Sequence, residues 1–286
     1  MKKVFFAFAM VTLFFTGCDI IDDPVIPFTG NYDVGLYGEP PTFGNATNTM
    51  RNALLEDFTA HQCGNCPSAA ILAEDIADQY EERVVVMAVH SGSLAEWNEE
   101  DPFGTNWTNP ASDLYFSQLD FQANPLGRVN RAPSLGNILS PSEWLGEVEE
   151  SLSQTAVVNL QMAVNYVEEN QHLNIHVNGQ YPGAYSPQLK LVVLITESGM
   201  IDYQLDYDST PEIVADYEFN HVLRGDVIGA EGLNFSSNVE AGATIQNDYT
   251  FDWNTDWIPE NSYVVAFVYN STTGEVLNAI EKHVVE

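Results

Sequence analysis

From residue 51 onward the chain switches between two hydrophobic periods. Ala53 to Phe58 is a short strand-like run. Pro67 to Arg83 follows the helical period, with Ala69, Leu72, Ile76 and Tyr80 recurring on one face. Pro67 suits a first helical turn, where its missing N–H has no intrahelical partner anyway. Val84 to Val89 is continuously apolar, as a parallel strand buried on both faces requires. This strand–helix–strand order predicts a right-handed crossover within an α/β layer. Residues 90–120 show no clear period and are rich in Trp, Asn and Asp, so they read as irregular. Leu126 to Val129 reads as a further short strand. Ser140-Pro141-Ser142-Glu143 opens a helix through Leu152, with Leu145, Val148 and Leu152 on its apolar face.

After Thr155 the period becomes two. Ala156, Val158, Leu160, Met162, Val164 and Tyr166 alternate with more polar neighbours, and Leu173, Ile175 and Val177 do so after a turn at Glu169-Asn170. Further strands are expected at Leu189–Thr196, Phe219–Ile228, Thr244–Trp253, Tyr263–Asn270 and Glu275–Val285. Short strands with turn signals and no clear helix predict an all-β sandwich of immunoglobulin-like type. The expected fold is therefore an α/β domain over 49–155 followed by a β-sandwich over 156–286. No internal repeat is visible.

The first 48 residues read differently. Lys2 and Lys3 precede an apolar core from Val4 to Phe15, which ends at Phe15-Thr16-Gly17-Cys18. That core is too short to span a bilayer and a small residue precedes the cysteine, the layout of a lipoprotein signal peptide over 1–17. Cleavage before Cys18 and acylation of its thiol would anchor the chain to a lipid bilayer without spanning it. Residues 18–48 read as a tether, with Pro24, Pro27, Pro40 and Pro41 and little periodicity. Its acidic start, Asp19, Asp22 and Asp23, resembles the export signal of surface-exposed lipoproteins. Removing 1–17 leaves 286 − 17 = 269 residues and 9 − 2 = 7 basic side chains against 41 acidic ones. That balance argues against nucleic acid as a partner, because nucleic acid needs clustered Lys and Arg. It also argues against electrostatic docking on anionic lipid.

The same cleavage decides the cysteine chemistry. Only Cys18, Cys63 and Cys66 exist, so with Cys18 lipidated a single C-x-x-C pair remains. A domain of this size folds without staples, so the pair reads as kept for reactivity. A useful C-x-x-C lowers the pKa of its first cysteine, and a helix N-terminus does so through unpaired N–H groups and the positive end of its dipole. Cys63 is expected at that end as nucleophile, with Cys66 one turn in as resolver. His61, two residues before Cys63, either favours the thiolate when protonated or is an exposed loop histidine. His90 ends the central strand toward the same sheet edge, and His61 and His90 are expected, with Trp97 and Trp107, to contact substrate. Cys63, Cys66, His61 and His90 do not make a convincing zinc site without a second cysteine pair, so no metal and no cofactor is expected. In the 90–120 segment, Trp97 and Trp107, with Phe103, Tyr115 and Phe116, form either a peptide-binding platform or a satellite core. Asp202, Asp206 and Asp208, and separately Asp252 and Asp256, read as solvated acidic turns, since neither fits a calcium-loop spacing.

The stretch Leu54 to Pro67 resembles a thioredoxin-fold active site with Gly64-Asn65 as its central dipeptide. The resemblance implies that Asp57, followed by Phe58, is a buried proton acceptor for the resolving cysteine, the alternative being an acid facing water. It also implies that Pro125, after Asn124, is the cis-proline set against the C-x-x-C, the alternative being an ordinary trans turn proline. A wider resemblance joins Leu55-Glu56-Asp57-Phe58-Thr59, Cys63-Gly64-Asn65-Cys66-Pro67, Ala88-Val89-His90, Asn124 to Arg131, Asn220-His221-Val222-Leu223-Arg224 and Val264 to Val268. By these residues the chain resembles the outer-membrane-protein-28-related lipoproteins of bacteria. That family implies an outer-membrane location, a thioredoxin-like domain and a C-terminal β domain. Here Thr59-Ala60 stands where the family often has Thr-Gly, and Pro125-Leu126 where it has Pro-Thr. The dipeptide also lacks the proline that thioredoxins carry beside the second cysteine. The expected activity is thiol–disulfide exchange on protein thiols or disulfides. The rival is a non-catalytic surface binding protein or adhesin that keeps the α/β half as scaffold.

Overall fold

Alternation along one strand organises the α/β half. A computed structural model describes residues 32–47, 49–99 and 102–285, so the signal peptide, Cys18 and the acidic start lie outside the described residues. Strand β1, Ala53–Thr59, is buried along its whole length. It pairs in parallel with β2, Val84–His90, and antiparallel with β3, Leu126–Val129. Successive side chains leave opposite faces. Leu54 and Phe58 pack with Val85, Met87 and Val89 against Ala111 and Tyr115. Ala53 and Leu55 go the other way, with Val84 and Val86, onto Ala69, Ala73, Ile76, Trp144 and Val148.

Three longer helices complete this half among the described residues, while a single-turn helix before them packs on His172 of the β-rich half. Helix α1, Val34–Tyr37, is a single turn, and α2, Cys66–Tyr80, is the crossover between β1 and β2. Helix α3, Pro110–Ser117, lies inside the segment expected to be irregular. Its start was encoded as Asn109-Pro110: the Asn109 side chain accepts from the Ala111 and Ser112 amides, and proline tolerates the first turn. Helix α4, Pro141–Leu152, begins at the capping box Ser140–Glu143.

The rest is β structure, resembling a sandwich as expected. The strands are β4 Asn159–Val167, β5 His172–Gln180, β6 Leu189–Glu197, β7 Met200–Leu205, β8 Ile213–Phe219, β9 Val222–Asp226, β10 Leu233–Ser236, β11 Thr244–Asp252, β12 Ser262–Asn270 and β13 Val276–His283. A three-stranded sheet, β11-β5-β4, faces a larger one. Leu173, Ile175 and Val177 of β5 meet Leu191, Val193 and Ile195 of β6 and Val264, Ala266 and Val268 of β12 in the sandwich core. The larger sheet does not stop at the end of the α/β half. Its order is β13-β12-β6-β9-β2-β1-β3, with β10 beside β6. The join is the parallel pairing of Ala88 with Val222, where the Ala88 amide donates to the His221 carbonyl at 2.8 Å.

Two expectations need correction here. Phe219–Ile228 is not one strand: Asn220 and His221 separate β8 from β9, and His221 takes the left-handed conformation at φ 55°. That break frees β8 to turn back on β7, and the pair forms its own two-stranded sheet. The later part of the segment read as a tether is packed down. Ala46 N donates to Gln180 Oε1 at 2.7 Å, Gln180 Nε2 to the Gly44 carbonyl at 2.6 Å, and Gln246 Nε2 to the Pro41 carbonyl at 3.2 Å. Polar side chains on the outer face of the three-stranded sheet supply partners that an aperiodic backbone otherwise finds in water.

A buried ion cluster fixes β1 against its neighbours. The Glu56 carboxylate, fully buried, accepts from Arg128 Nε at 2.6 Å and Nη2 at 2.9 Å, and from Arg131 Nη2 at 2.8 Å and Nε at 3.1 Å. Burial alone would raise its pKa, but Arg128 and Arg131 overcome that and hold it down at about 2. The Arg131 guanidinium also lies 4.5 Å from the centre of the Tyr115 ring and 4.8 Å from that of Phe267. Substituting Glu56→Gln would leave two guanidiniums buried without a counter-charge. We expect a loss of about 3–5 kcal/mol in urea unfolding.

Candidate functional site

The chain leaves β1 at Thr59 and makes a tight turn before α2. The Cys63 amide donates to the Ala60 carbonyl at 3.1 Å, and the Cys66 amide to the Cys63 carbonyl at 3.0 Å. Helix α2 begins at Cys66 itself, with Asn65 as N-cap. Cys63 therefore stands just before the helix and Cys66 occupies its first position, rather than one turn in. Pro67 is the reason: with no N–H, it cannot donate back to the Cys63 carbonyl, so the α-helical ladder cannot start there. Cys63 and Cys66 form a disulfide, their Cα atoms 5.3 Å apart. Both are buried, at 3% and 2% exposure, in a small apolar cluster with Ala60 and Ala95.

Asp57 lies in β1 two residues before the strand ends at Thr59. Alternation along β1 sends it to the α2 side, opposite Glu56. It is 2% exposed, and its Oδ1 finds no hydrogen-bond partner among the described residues. Burial alone pushes its pKa up to about 7. The Asn124–Pro125 peptide is cis. It sits at the end of β1, where Asn124 Nδ2 donates to the Thr59 carbonyl at 3.1 Å and Leu126 pairs with Phe58.

The two histidines near the disulfide turn, His61 and His90, are interior groups. His61 is 1% exposed, which removes the exposed-loop reading. A ring nitrogen, Nε2, lies 2.9 Å from the Glu96 carbonyl, and the ring is 5.3 Å from that of Phe103. His90 pairs with Thr59 across the strands. Burial first, then the nearby His61 and Arg224 charges, lower its pKa to about 3, so it is neutral. Trp107 is buried, 6.0 Å ring to ring from His90 and 5.1 Å from Phe219. It thus belongs to a satellite core with Phe219 and Val222, while Trp97 stands at the surface, 46% exposed. Tyr115 is wholly internal. The 90–120 segment therefore packs largely over the interior strands β2 and β9 of the large sheet, with Trp97 the exposed aromatic.

Reading the sequence missed the residues on the far side of the disulfide, which come from the β-rich half. The Leu205 amide donates to the His61 carbonyl at 2.8 Å, and the Tyr207 amide to the Gly64 carbonyl at 2.9 Å. Gln204 Nε2 donates to the Cys63 carbonyl at 3.1 Å. Gly64 is needed because any Cβ there would fall 2.6 Å from the Tyr207 ring. Tyr217 of β8 is raised to about 12 by burial and by the neighbouring Asp57 and Asp206 carboxylates. The alternation of Ile201, Tyr203 and Leu205 was the available signal. The acidic residues between them drew the reading toward a solvated turn, and Asp206 does close one, accepting from the Asp208 amide at 3.0 Å. Among the described residues no three His, Cys, Asp or Glu side chains converge as a metal set, and no helix is long and apolar enough to cross a membrane.

Comparison with known proteins supports the fold. The model of the family described as outer membrane protein Omp28 matches residues 112–286. The solved structure of HBP35 of Porphyromonas gingivalis superposes with a TM-score of 0.61 at 20% identity, over 82% of this chain and 76% of that one. Protein AGR_C_4864 from Agrobacterium tumefaciens superposes with a TM-score of 0.52 at 11% identity, over 84% of this chain and 97% of that one. A domain of the outer membrane lipoprotein Omp28 from Porphyromonas gingivalis is 23% identical, with a TM-score of 0.31, over 44% of this chain and 86% of that one. None of the curated proteins matches.

Asp57 gives a pH test. Its folded pKa is above its unfolded one, so its contribution to stability is full below about 3.8 and lost as pH rises through about 7. Asp57→Asn removes that loss. Urea unfolding should show the variant's advantage over wild type growing from about pH 4 to about pH 7 and level above that, to the order of 4 kcal/mol.

Proposed function

This chain belongs to the outer membrane protein Omp28 family, and from that premise we propose that it is an outer-membrane-associated thiol–disulfide exchange protein anchored through acylated Cys18. The observation that carries the reading is the Cys63–Cys66 disulfide at the start of α2, on the side of β1 that holds a buried carboxyl with pKa near 7. In the reduced protein, the Cys63 thiolate attacks one sulfur of a substrate disulfide and displaces the other as thiolate. Cys66 gives its proton to the Asp57 carboxylate and attacks the Cys63 sulfur. The Cys63–Cys66 bond forms and the second substrate sulfur leaves, so the substrate gains two electrons and the pair loses two. Run in reverse, the same steps oxidise a substrate dithiol. A carboxyl that titrates near neutrality both takes and returns a proton at little cost, which suits exchange in either direction. His90, held neutral, adds no charge to oppose that transfer. Pro125 is assigned to the substrate-facing edge beside the pair. His61, Trp97, Trp107 and His90 were substrate-contact expectations. Of these, Trp97 retains the exposure a contact residue needs.

One observation favours the scaffold reading: the disulfide is covered. The two readings separate on trapping. Cys66→Ser should accumulate disulfide-linked partners through Cys63, visible as reducible high-mass bands, whereas Cys63→Ser should accumulate none. Absence of any trapped species from Cys66→Ser would move the assignment to a binding protein with a structural disulfide. The anchor is tested separately. Cys18→Ala should shift the protein from the membrane fraction to the aqueous phase in detergent partitioning, and retention in the membrane would remove the lipid anchor from the proposal.

A further inference from the structure

In the oxidised state no protein thiol can reach the disulfide as it stands. Exchange needs an attacking sulfur to approach Cys63 Sγ along the S–S axis, and both cysteines are almost wholly enclosed. Part of the enclosure is the body of the domain, Ala60 and Ala95. The β7–β8 hairpin lies against the same turn, on the carbonyls of His61, Cys63 and Gly64. We propose that this hairpin, residues 200–219, is an autoinhibitory lid over Cys63–Cys66 that must swing away before thiol exchange, an inference that rests on the redox reading above.

The hairpin is built as a separable piece. Among the described residues its two strands pair only with each other, while the other eleven belong to the two larger sheets. Most of its strand residues are exposed or half-buried, with Gln204 and Phe219 the buried ones. At its base stand two backbone positions in the left-handed region, Gly199 at φ 70° and His221 at φ 55°. Glycine adopts that conformation without strain. The base is held by two side-chain bonds, Gly199 N donating to Asn220 Oδ1 at 2.9 Å and His221 N to Ser198 Oγ at 3.0 Å, and by Phe219, Tyr217 and Met200 packed on Trp107 and Val222, so it is the outer part of the hairpin that swings from this anchored end.

Its free end holds the C-x-x-C turn through groups that water can replace. These are the amides of Leu205 and Tyr207 on the His61 and Gly64 carbonyls, Gln204 Nε2 on the Cys63 carbonyl, and Ser68 Oγ on Asp208 Oδ2 at 3.0 Å. The first two are main-chain bonds of the kind an extended peptide makes when it adds to an edge. The lid thus occupies the backbone groups beside the reacting sulfur that an incoming polypeptide would use. A few polar contacts of modest net strength make a latch that opens without unfolding the sheets.

The test is the rate of reduction of Cys63–Cys66 by dithiothreitol, read by alkylation and mass on the full chain. One dithiothreitol thiolate bonds to Cys63 and releases the Cys66 thiolate. The second dithiothreitol thiolate then displaces Cys63, leaving oxidised dithiothreitol and two protein thiols. In wild type the rate should level off with increasing dithiothreitol, because opening becomes limiting. The double variant Gln204→Ala, Tyr207→Ala should be reduced about tenfold faster at low dithiothreitol, the response to losing one ring contact and one set of side-chain hydrogen bonds. Equal rates, with wild type linear in dithiothreitol, would overturn the lid. Should the variant fold poorly, hydrogen exchange on wild type decides. The Leu205 and Tyr207 amides should exchange well before those of Val193 and Ala266, and simultaneous exchange would overturn the lid. The two proposals fail separately. Faster reduction of the variant with nothing trapped by Cys66→Ser keeps the lid and rejects the redox reading. Equal rates with a trapped partner do the reverse.

Discussion

A carboxylate cannot be buried alone, and around Glu56 the whole α/β half is arranged to avoid that. Its two partners come from β3 and from the turn just after it. Placing Arg131 requires Asn130 and Arg131 both to take positive φ, 49° and 53°. The same turn reaches further. Asn130 Oδ1 accepts from the Leu54 amide at 2.7 Å, and the Asn130 carbonyl accepts from the Val276 amide at 2.9 Å. Arg131 then stacks between Tyr115 of α3 and Phe267 of β12. One ion cluster therefore sets the register of β1 on β3 and seats the helix layer on the β-rich half. Such a cluster gains little over well-packed apolar groups, yet it is costly to break, so it specifies one arrangement.

The neighbouring acids of β1 show what that arrangement does for chemistry. Glu56 and Asp57 are equally buried and adjacent in sequence. The first meets two guanidiniums and stays ionised through the whole ordinary pH range. The second meets no charge of opposite sign and titrates near neutrality. The pleat alone separates their environments, by pointing them to opposite faces. Locking Glu56 toward Arg128 and Arg131 thus fixes the pleat that turns Asp57 to the opposite, α2-bearing face.

Much of the α/β half was legible because its signals are local. A short strand-like run marked β1, the continuous apolar run marked β2, and Ser140–Glu143 marked the start of α4. The spacing from Asp57 to Cys63 and the Asn124-Pro125 step also stood in the sequence, and both residues lie at the ends of the strands expected to carry them. What could not be read was long-range. Nothing near Cys63 announces that Gln204 and Tyr207 will cover it, since those contacts span about a hundred and forty residues of chain. The buried state of His61 was hidden for the same reason: its enclosure comes from Glu96 and Phe103. Helix α3 is a different kind of miss, because its cap was visible at Asn109-Pro110 but its short length and aromatic content gave no helical period.

The single bridge of Ala88 to Val222 has a consequence for how such a protein changes over evolutionary time. Where two domains meet only through a linker, either can be copied, lost or traded as a cassette. Here a strand of the β-rich half completes the sheet that carries the cysteines, and its hairpin lies across them. Neither half closes its own sheet: a descendant that sheds one inherits an open edge at β2 or β9 in the other.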